Sequence, residues 1–501
     1  EDEEDDLYTE GQCQDSSSSS DQFSDSSSDD EAEEGANQSK SGRMFRKTKF
    51  EHQSTTTPNC FSAPDELSTP LTYFSKFFDE DVFEAIAHQT NLYSCQLIEG
   101  SINTNASEIK AFIGMKLMMG VVKMPAVENY WATDTRYDKI ADVMPLKRYK
   151  CLSRMLHFQD NMSSDSSEDR LVKVRPVLDH MRGKCMDIES ENQFSTDEMM
   201  VPYKGKKAGS LRQYLRSKPK KWGFKISVRA GVSGFVYDFM VYTGKSTFDG
   251  STPDKEFGLG GNVVLQLCRT IRNPSNCVVY FDNFFTSLRL ITHLKESMGL
   301  RSLGTIRMNR LMGRGSFDFC VDNDAKLAVV KWADSKTVTL VSSCASVNPV
   351  GQVRRYSKEE KKKISVPCPK IVSEYNTHMG GVDLADTMIA LYRTPAKSHR
   401  WYLAIFWQMV DIAVNNAWLL HRRDAAPLGQ KRHLIKQPKV PRPVDDMRYD
   451  GIDHFPIVSV KGRCGMCQDG QTSIVCQKCK VRLCIITGQN PCKCFHSFHC
   501  K

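Results

Sequence analysis

The spacing of apolar residues changes along this chain, and each change marks a part that must fold differently. Between residues 60 and 190 apolar side chains recur every three or four positions, the period of helices that bury one face. From residue 191 to 300 the pattern changes to short strand-like runs, with a hairpin predicted around Gly231 and Gly234. The sequence therefore predicts an α/β protein of about two to four domains.

Composition and the spacing of apolar residues together divide the chain into segments. Residues 1–58 are acidic, serine-rich and too poor in apolar side chains to offset the entropy of ordering. The predicted segments are a disordered tail at 1–58, a helical domain at 59–190, a strand-rich domain at 191–300, a β-rich insertion at 301–369, a helix returning to the strand-rich domain at 370–392, a second helical part at 393–440, a linker at 441–461 and a cysteine-rich domain at 462–501.

Charge is distributed unevenly between the tail and the rest of the chain. Residues 1–34 contain 15 Asp or Glu and no Lys or Arg, so residues 35–501 carry all 68 basic residues against 45 acids, a net charge of +23. Such an excess favours a polyanionic partner such as DNA, although a basic surface also serves solubility alone.

Four acids are candidates for a metal site. Asp383 and Asp386 follow a Gly-Gly pair and are three residues apart, a spacing that puts both on one face of a helix. Asp197 and Asp282 follow apolar or β-branched runs, and the strand end that carries Asp282 is a rigid place for a ligand. Carboxylates that converge from distant segments suit Mg²⁺, and a pair of such ions assists phosphoryl displacement. Taken singly, Asp282 is more typical of a helix cap or turn acid and Asp197 of a surface acid, but their occurrence together with Asp383 favours the metal site.

These acids lie within longer motifs. The motifs are TDEMMVPYKGK, QYLRSKPKKWGFKI, YFDNFFTS, MGGVDLAD with RWYLAIFWQ behind it, and a terminal cysteine array ending in CFxxFH. As a set they resemble the piggyBac transposases and piggyBac-derived proteins, over nearly the whole chain.

The resemblance implies a catalytic core of the DDE/D type with an RNase H-like fold. It implies that Asp197, Asp282 and Asp383 bind two Mg²⁺ ions, with Asp386 as a further acid beside them. It also implies dimerisation and DNA binding by the helical parts, at 59–190 and 393–440. The implied reaction is cut-and-paste transposition by a homodimer, which cleaves at the transposon terminal repeats, passes through a hairpin and inserts the element at TTAA.

Two basic clusters are candidates for contact with that DNA. Both combine cations with aromatic rings, which suits phosphate contact and base stacking. The candidates are Arg212, Arg216, Lys218, Lys220, Lys221 and Lys225 in the first cluster, and Lys397, Arg400 and Trp401 in the second. Trp401 equally begins an apolar helix.

The cysteine array is a strong zinc signal. Paired CxxC sequences at this density are typical of structural Zn²⁺, which stabilises segments too short to fold unaided. We predict two zinc ions, which need eight ligands. The resemblance to the piggyBac family implies seven of the ligands, which are Cys464, Cys467, Cys476, Cys479, Cys484, Cys494 and His499, and the eighth is Cys492 or His496.

Localisation and membrane association follow from two other stretches. The apolar run 401–420 approaches the length of a bilayer span, but Gln408, Asp411, Asn415 and Asn416 interrupt it, so we predict a buried helix and no membrane partner. The basic segment KRHLIKQPKVPR, at 431–442, is a candidate nuclear address. We therefore expect a nuclear protein.

Two alternatives to a transposase stay open. A domesticated derivative would keep DNA binding, in chromatin or transcription, and lose strand cleavage. A zinc-bearing adaptor would instead use the cysteine-rich domain to bind proteins.

Overall fold

The computed structural model describes residues 45–50, 61, 64–162, 169–216, 218–248, 254–306, 315–357, 360–428, 445–467, 470–485 and 493–500. Three predicted features lie outside these residues: most of the acidic tail, the candidate nuclear address at 431–442, and Cys492.

Helices occupy residues 60–190, where the three-to-four spacing predicts them, and further helices lie beyond that range. The first three begin at N-caps, where Thr69, Asp79 and Asn105 each accept a hydrogen bond from a backbone N–H three residues further on. The helices are α1 Pro70–Ser75, α2 Glu80–Ile98, α3 Ala106–Val121, α4 Asp138–Ala141, α5 Leu146–Met155, α6 Arg175–Asp187, α7 Gly258–Cys268, α8 Leu288–Met298, α9 Lys370–His378, α10 Gly381–Leu391, α11 Trp401–Ala425, α12 Asp445–Arg448 and α13 Cys494–His499.

Strands occupy the middle of the chain and its C-terminal part. The strands are β1 Phe45–Arg46, β2 Gln193–Pro202, β3 Gln213–Tyr214, β4 Trp222–Gly231, β5 Val236–Val241, β6 Val278–Phe281, β7 Arg301–Ile306, β8 Phe317–Asp322, β9 Leu327–Ala333, β10 Thr337–Ser342, β11 Gly351–Tyr356, β12 Lys363–Cys368, β13 Pro456–Arg463 and β14 Gln471–Cys476. The predicted hairpin around Gly231 and Gly234 is confirmed as β4 and β5, which pair antiparallel.

One ten-stranded sheet forms the centre of the protein. Its order is β1-β8-β9-β10-β7-β6-β2-β4-β3, with β5 also paired to β4. Strand β2 pairs antiparallel with β4 and parallel with β6, and β6 pairs parallel with β7. The parallel strands β6 and β7 are connected through α8, which packs on β7.

The predicted insertion at 301–369 is not a separate sheet. Strand β7 belongs to the central sheet through β6, and β10, β9 and β8 extend that sheet by antiparallel pairing. Only β11 and β12 form a hairpin of their own. Alternation of apolar and polar residues predicts that strands exist. It does not predict which strands pair, because the same alternation allows several neighbouring strands, so the sequence pattern did not show this pairing.

Helix α11 is the central helix of the core. By length and composition it could cross a bilayer, yet 89% of its most apolar 18-residue stretch is buried within the protein. Its polar residues have partners there: the Asn416 side chain bonds the backbone N–H and C=O of Val236, and Asn415 donates to the Gly234 carbonyl. These contacts fix α11 against the start of β5 and account for polar residues in an apolar helix.

The N-terminus of α10 packs directly on the sheet. A Cβ on Gly381 would lie 2.3 Å from the carbonyl oxygen of Gly231 in β4, so no larger residue fits there without movement. The hydroxyl of Ser195 in β2 accepts a hydrogen bond of 3.1 Å from the Val382 N–H. A Cβ on the preceding Gly380, by contrast, would meet no atom within 4 Å. Close packing at one glycine therefore positions the helix that carries Asp383 and Asp386.

We predict that Gly381→Ala lowers the free energy of unfolding by about 1–3 kcal/mol, because its methyl group overlaps the Gly231 carbonyl. Gly380→Ala is the matched control and should change that free energy by less than about 0.5 kcal/mol. Thermal denaturation of the two variants measures both values. Equal melting temperatures for the two would show that α10 does not depend on this contact.

Candidate active site and metal-binding module

Two of the predicted acids lie side by side on neighbouring strands, Asp197 within β2 and Asp282 just after the end of β6. The parallel register of β2 and β6 pairs Thr196 with Phe281, so Asp197 and Asp282 are the next residues on adjacent strands. Neighbouring strands are about 4.8 Å apart. The Asp282 carboxylate also accepts a hydrogen bond of 2.9 Å from the Phe284 N–H, so the turn contact that the sequence left open is present as well.

The third acid approaches the first across a lysine. The ammonium nitrogen of Lys218 lies 3.8 Å from Asp197 Oδ2 and 3.6 Å from Asp383 Oδ1. Asp197 is mostly buried, whereas the Asp383 side chain is 72% exposed and faces an open part of the site. The structure thus brings Asp197 and Asp383 to one positive charge, with Asp282 beside Asp197 on the adjacent strand.

Burial dominates the electrostatics of these acids. It raises the pKa of Asp197 to about 6, although the charge of Lys218 acts in the opposite direction. Burial also raises the pKa of Asp282, and the charge of Glu198 adds to this effect. Burial alone would lower the pKa of Lys218, but the carboxylates of Asp197 and Asp383 outweigh it and raise that pKa. Crowded carboxylates that disfavour their own ionisation favour the binding of a cation.

The fourth acid is held by a chain of side-chain contacts. Arg393 donates to Asp386 at 3.2 Å and to Gln408 of α11 at 2.7 Å. The Gln408 amide lies 3.1 Å from the sulfur of Met199, two residues after Asp197 on β2. Burial raises the pKa of Asp386, and Arg393 opposes that rise. Helix α11 therefore orients Asp386 through Arg393.

Tyr375 of α9 is a site residue that the sequence analysis missed. Burial raises the pKa of its phenol to about 12, and the charges of Asp282, Asp197 and Asp383 contribute in the same direction. A hydrogen bond with Thr305 opposes this rise, and Tyr375 lies on the helix directly before the one that carries Asp383. Its only sequence signal is its place shortly before Gly380 and Gly381, in a segment that otherwise predicts only a helix.

The donor set fits Mg²⁺. Carboxylate oxygens are the ligands that this hard cation prefers, and here a protein cation already lies between two of them. Asp197, Asp282 and Asp383 could hold the metal, with Asp386 next to them.

The predicted DNA contacts fall into three groups. Arg216, Lys220 and Lys221 are exposed, and Lys397 lines a small cavity. Arg212 packs its guanidinium on the Trp222 ring at 4.4 Å, and Tyr214 adjoins that ring at 5.0 Å. The other four are engaged within the protein: Lys218 as described, Lys225 with Glu198 at 2.6 Å, Arg400 with the carbonyls of Ser153 and Leu156, and Trp401 against Phe224. Contact of these nine residues with DNA stays a prediction.

The cysteine-rich domain contains two groups of four possible metal ligands. In each group the ligand atoms all lie within 4.8 Å of one another. One group is Cys464, Cys467, Cys484 and Cys494; the other is His454, Cys476, Cys479 and His499. The two CxxC pairs thus belong to different groups, which interleave along the chain. Four thiolate or imidazole ligands suit tetrahedral Zn²⁺, so both groups could hold zinc.

His454 is the ligand that the sequence analysis missed. It completes the second group, where we expected Cys492 or His496. His496 lies instead 3.6 Å from the Cys500 sulfur, and Cys492 is outside the described residues. His454 stands in the stretch that we assigned to the linker, which also contributes α12 and the start of β13, and no CxxC neighbour marks it as a ligand. The module therefore begins before residue 462.

Comparisons with known proteins agree with this architecture. Residues 69–418 match the family described as transposase IS4. The chain is 32% identical over 455 residues to human PiggyBac transposable element-derived protein 3, covering 83% of this chain and 75% of that protein. It is equally similar to the human chimeric ERCC6-PGBD3 protein, of whose length it spans only 42%.

Among solved structures, the chain is similar to a piggyBac transposase in a cryo-EM synaptic complex with hairpin DNA. The TM-score is 0.61 at 25% identity, over 75% of this chain and 79% of that one. The protein is thus of the transposase class. Within that class it belongs to the piggyBac family, which includes transposases and element-derived proteins.

We predict that His454→Ala lowers bound zinc from two ions per chain to about one, because the second group loses one of four ligands. His496→Ala is the matched control, since His496 belongs to neither group, and it should keep both ions. Metal analysis after dialysis, with a colorimetric chelator as the competitor, measures the content. Loss of zinc from the His496 variant and not from the His454 variant would contradict the assignment.

Proposed function

We propose that this protein is a cut-and-paste DNA transposase that cleaves and rejoins DNA strands at transposon ends, with insertion at TTAA. The observation that carries the proposal is the convergence of three acids from distant segments: Lys218 joins Asp197 and Asp383, and Asp282 is the strand neighbour of Asp197. A surface that only binds DNA has no need of buried carboxylates, because they repel phosphate. A metal-dependent nuclease requires them.

The sheet topology supports an RNase H-like core. Three antiparallel strands, β5, β4 and β2, are followed by the parallel strands β6 and β7. This is the arrangement expected of that fold. The first acid lies on the central strand of the five and the second at the end of its parallel neighbour.

Asp197, Asp282 and Asp383 would hold two Mg²⁺ ions. When bound, Mg²⁺ activates water and the freed 3′ hydroxyl as nucleophiles and neutralises charge on the phosphate. The pairing of β2 with β6 keeps Asp197 and Asp282 in fixed positions, and the packing of Gly381 sets the position of Asp383. Arg393 orients Asp386 at the edge of the site.

The surroundings of the site supply the surface for DNA. Tyr214 and Trp222 are about half exposed, at 49% and 45%, and Arg212 stacks on Trp222. Aromatic faces beside cations suit an unpaired base and its phosphate. We further propose that the helical parts form a homodimer that binds the terminal repeats, that two Zn²⁺ ions stabilise the C-terminal module, and that the protein works in the nucleus.

A domesticated DNA-binding protein is the second candidate. The two human relatives reported above carry names that describe element-derived or chimeric proteins, and ligands alone do not establish turnover. Such a protein would bind DNA with full affinity and not cleave it.

We predict that Asp197→Asn and Asp383→Asn each lower Mg²⁺-dependent strand cleavage by about a thousandfold, because each removes a ligand charge worth several kcal/mol in the transition state. Gel analysis of duplexes that carry piggyBac-type terminal repeats bordered by TTAA measures the rate.

Asp318→Asn is the control for these variants. Asp318 is an exposed acid near the opposite edge of the sheet, where it pairs with Lys47, so its loss should leave cleavage unchanged. Full cleavage by either active-site variant would refute the transposase assignment. Tight DNA binding by the wild type without any cleavage would favour the domesticated protein.

We also predict that Lys220→Gln and Lys221→Gln each make the dependence of log affinity on log salt shallower by about 0.9, as expected for the loss of one phosphate contact. Fluorescence anisotropy with duplex DNA over a range of salt measures the slope. Lys47→Gln, at the far edge of the sheet, should leave the slope unchanged. An unchanged slope in both loop variants would place the DNA elsewhere.

A further inference from the structure

Lys218 occupies an unusual position for a lysine in a cluster of basic residues. Lys220 and Lys221 of the same loop are exposed, but the Lys218 side chain is only 20% exposed and turns toward the acids. Its nitrogen lies 3.8 Å from Asp197 and 3.6 Å from Asp383. One cation thus bridges an acid from β2 and an acid from α10.

The loop that carries Lys218 is fixed by its own backbone. Strands β3 and β4 pair at Tyr214 and Trp222, and the Leu215 N–H donates to the Lys221 carbonyl at 2.8 Å. Inside this closed loop the Lys218 N–H donates to the Leu215 carbonyl at 3.3 Å, and Pro219 follows. These bonds hold the backbone of Lys218, from which its side chain reaches both acids.

An ammonium and a divalent ion compete for these two carboxylates. Mg²⁺ binds oxygen at about 2.0–2.1 Å and demands near-octahedral geometry, so both carboxylates must approach the ion more closely than they approach the lysine. The lysine charge would then repel the metal at short range. Metal binding and the lysine contacts therefore oppose each other.

We propose that Lys218 is an internal counter-cation, which neutralises Asp197 and Asp383 in the metal-free protein and is displaced when a divalent ion binds. The inference rests on the proposed function, because it takes these acids as metal ligands. The lysine keeps crowded carboxylates together before metal arrives, and it competes with the metal for them. Lys218 is thus a positioning residue that sets the metal affinity of the site.

The first test compares metal affinity in matched variants of the zinc-loaded full chain without DNA. Mn²⁺ is the probe, because it binds the same oxygen ligands and its free form is measured by electron paramagnetic resonance. Lys218→Met keeps most of the side-chain stem and removes the charge. Lys221→Met removes the same charge from an exposed position of the same loop.

We expect Lys218→Met to bind Mn²⁺ about five- to tenfold more tightly than the wild type, as one charge near a partly exposed site allows. Lys221→Met should stay within about twofold of the wild type, because its charge is exposed to solvent. Unchanged or weaker binding by Lys218→Met would overturn the inference.

A second test uses the wild type alone and does not depend on how a variant folds. Reductive methylation followed by mass spectrometry reports how accessible each lysine amine is. Addition of Mg²⁺ should speed methylation of Lys218 several-fold and leave Lys221 unchanged. Equal protection of Lys218 with and without Mg²⁺, under conditions where the metal is bound, would overturn the displacement.

The double variant Asp197→Asn/Asp383→Asn separates this inference from the function on which it rests. If the wild type binds no more Mn²⁺ than this variant does, the acids are not a metal site, and both the function and the inference fail. If the wild type binds more, and Lys218→Met binds as the wild type does, only the inference fails.

Discussion

The parallel pairing of β2 with β6 is the contact on which the rest of the site depends. Its register makes Asp197 and Asp282 neighbours, although 84 residues separate them in the sequence. Ser195 of the same strand then holds the start of α10, and the lack of a side chain at Gly381 lets that helix approach. A shift of one residue in this register would put the two acids on opposite faces of the sheet.

Charge compensation explains how this many acids coexist in one place. Lys218 lies between Asp197 and Asp383, Arg393 pairs with Asp386, and Lys225 pairs with Glu198. These bases lie in the loop between β3 and β4, on β4 and just after α10. The basic residues near the site therefore fall into two sets, since some neutralise the acids and others remain exposed.

The C-terminal module is organised on another principle. Its core cluster consists mainly of cysteines, together with Leu483 and Phe498, so little apolar surface is available to stabilise it. Interleaved ligand groups tie its strands, loops and terminal helix to two common points. Metal ligation can thus supply the stability that apolar burial supplies in the central sheet and its helices.

Local sequence determined the elements and most of the chemistry of this protein. Residues close together in the chain determine the helical and strand periods, the acids that follow apolar runs, and the CxxC pairs. These patterns are therefore visible without the fold. Only the tertiary structure decided which elements meet. It joined β7–β10 to the central sheet, distinguished Gly381 from Gly380, brought Lys218 and Tyr375 to the acids, and completed the second ligand group with His454. The physical reason is that a local pattern specifies which face of an element is buried, whereas the partner of that face comes from distant residues that no local spacing records.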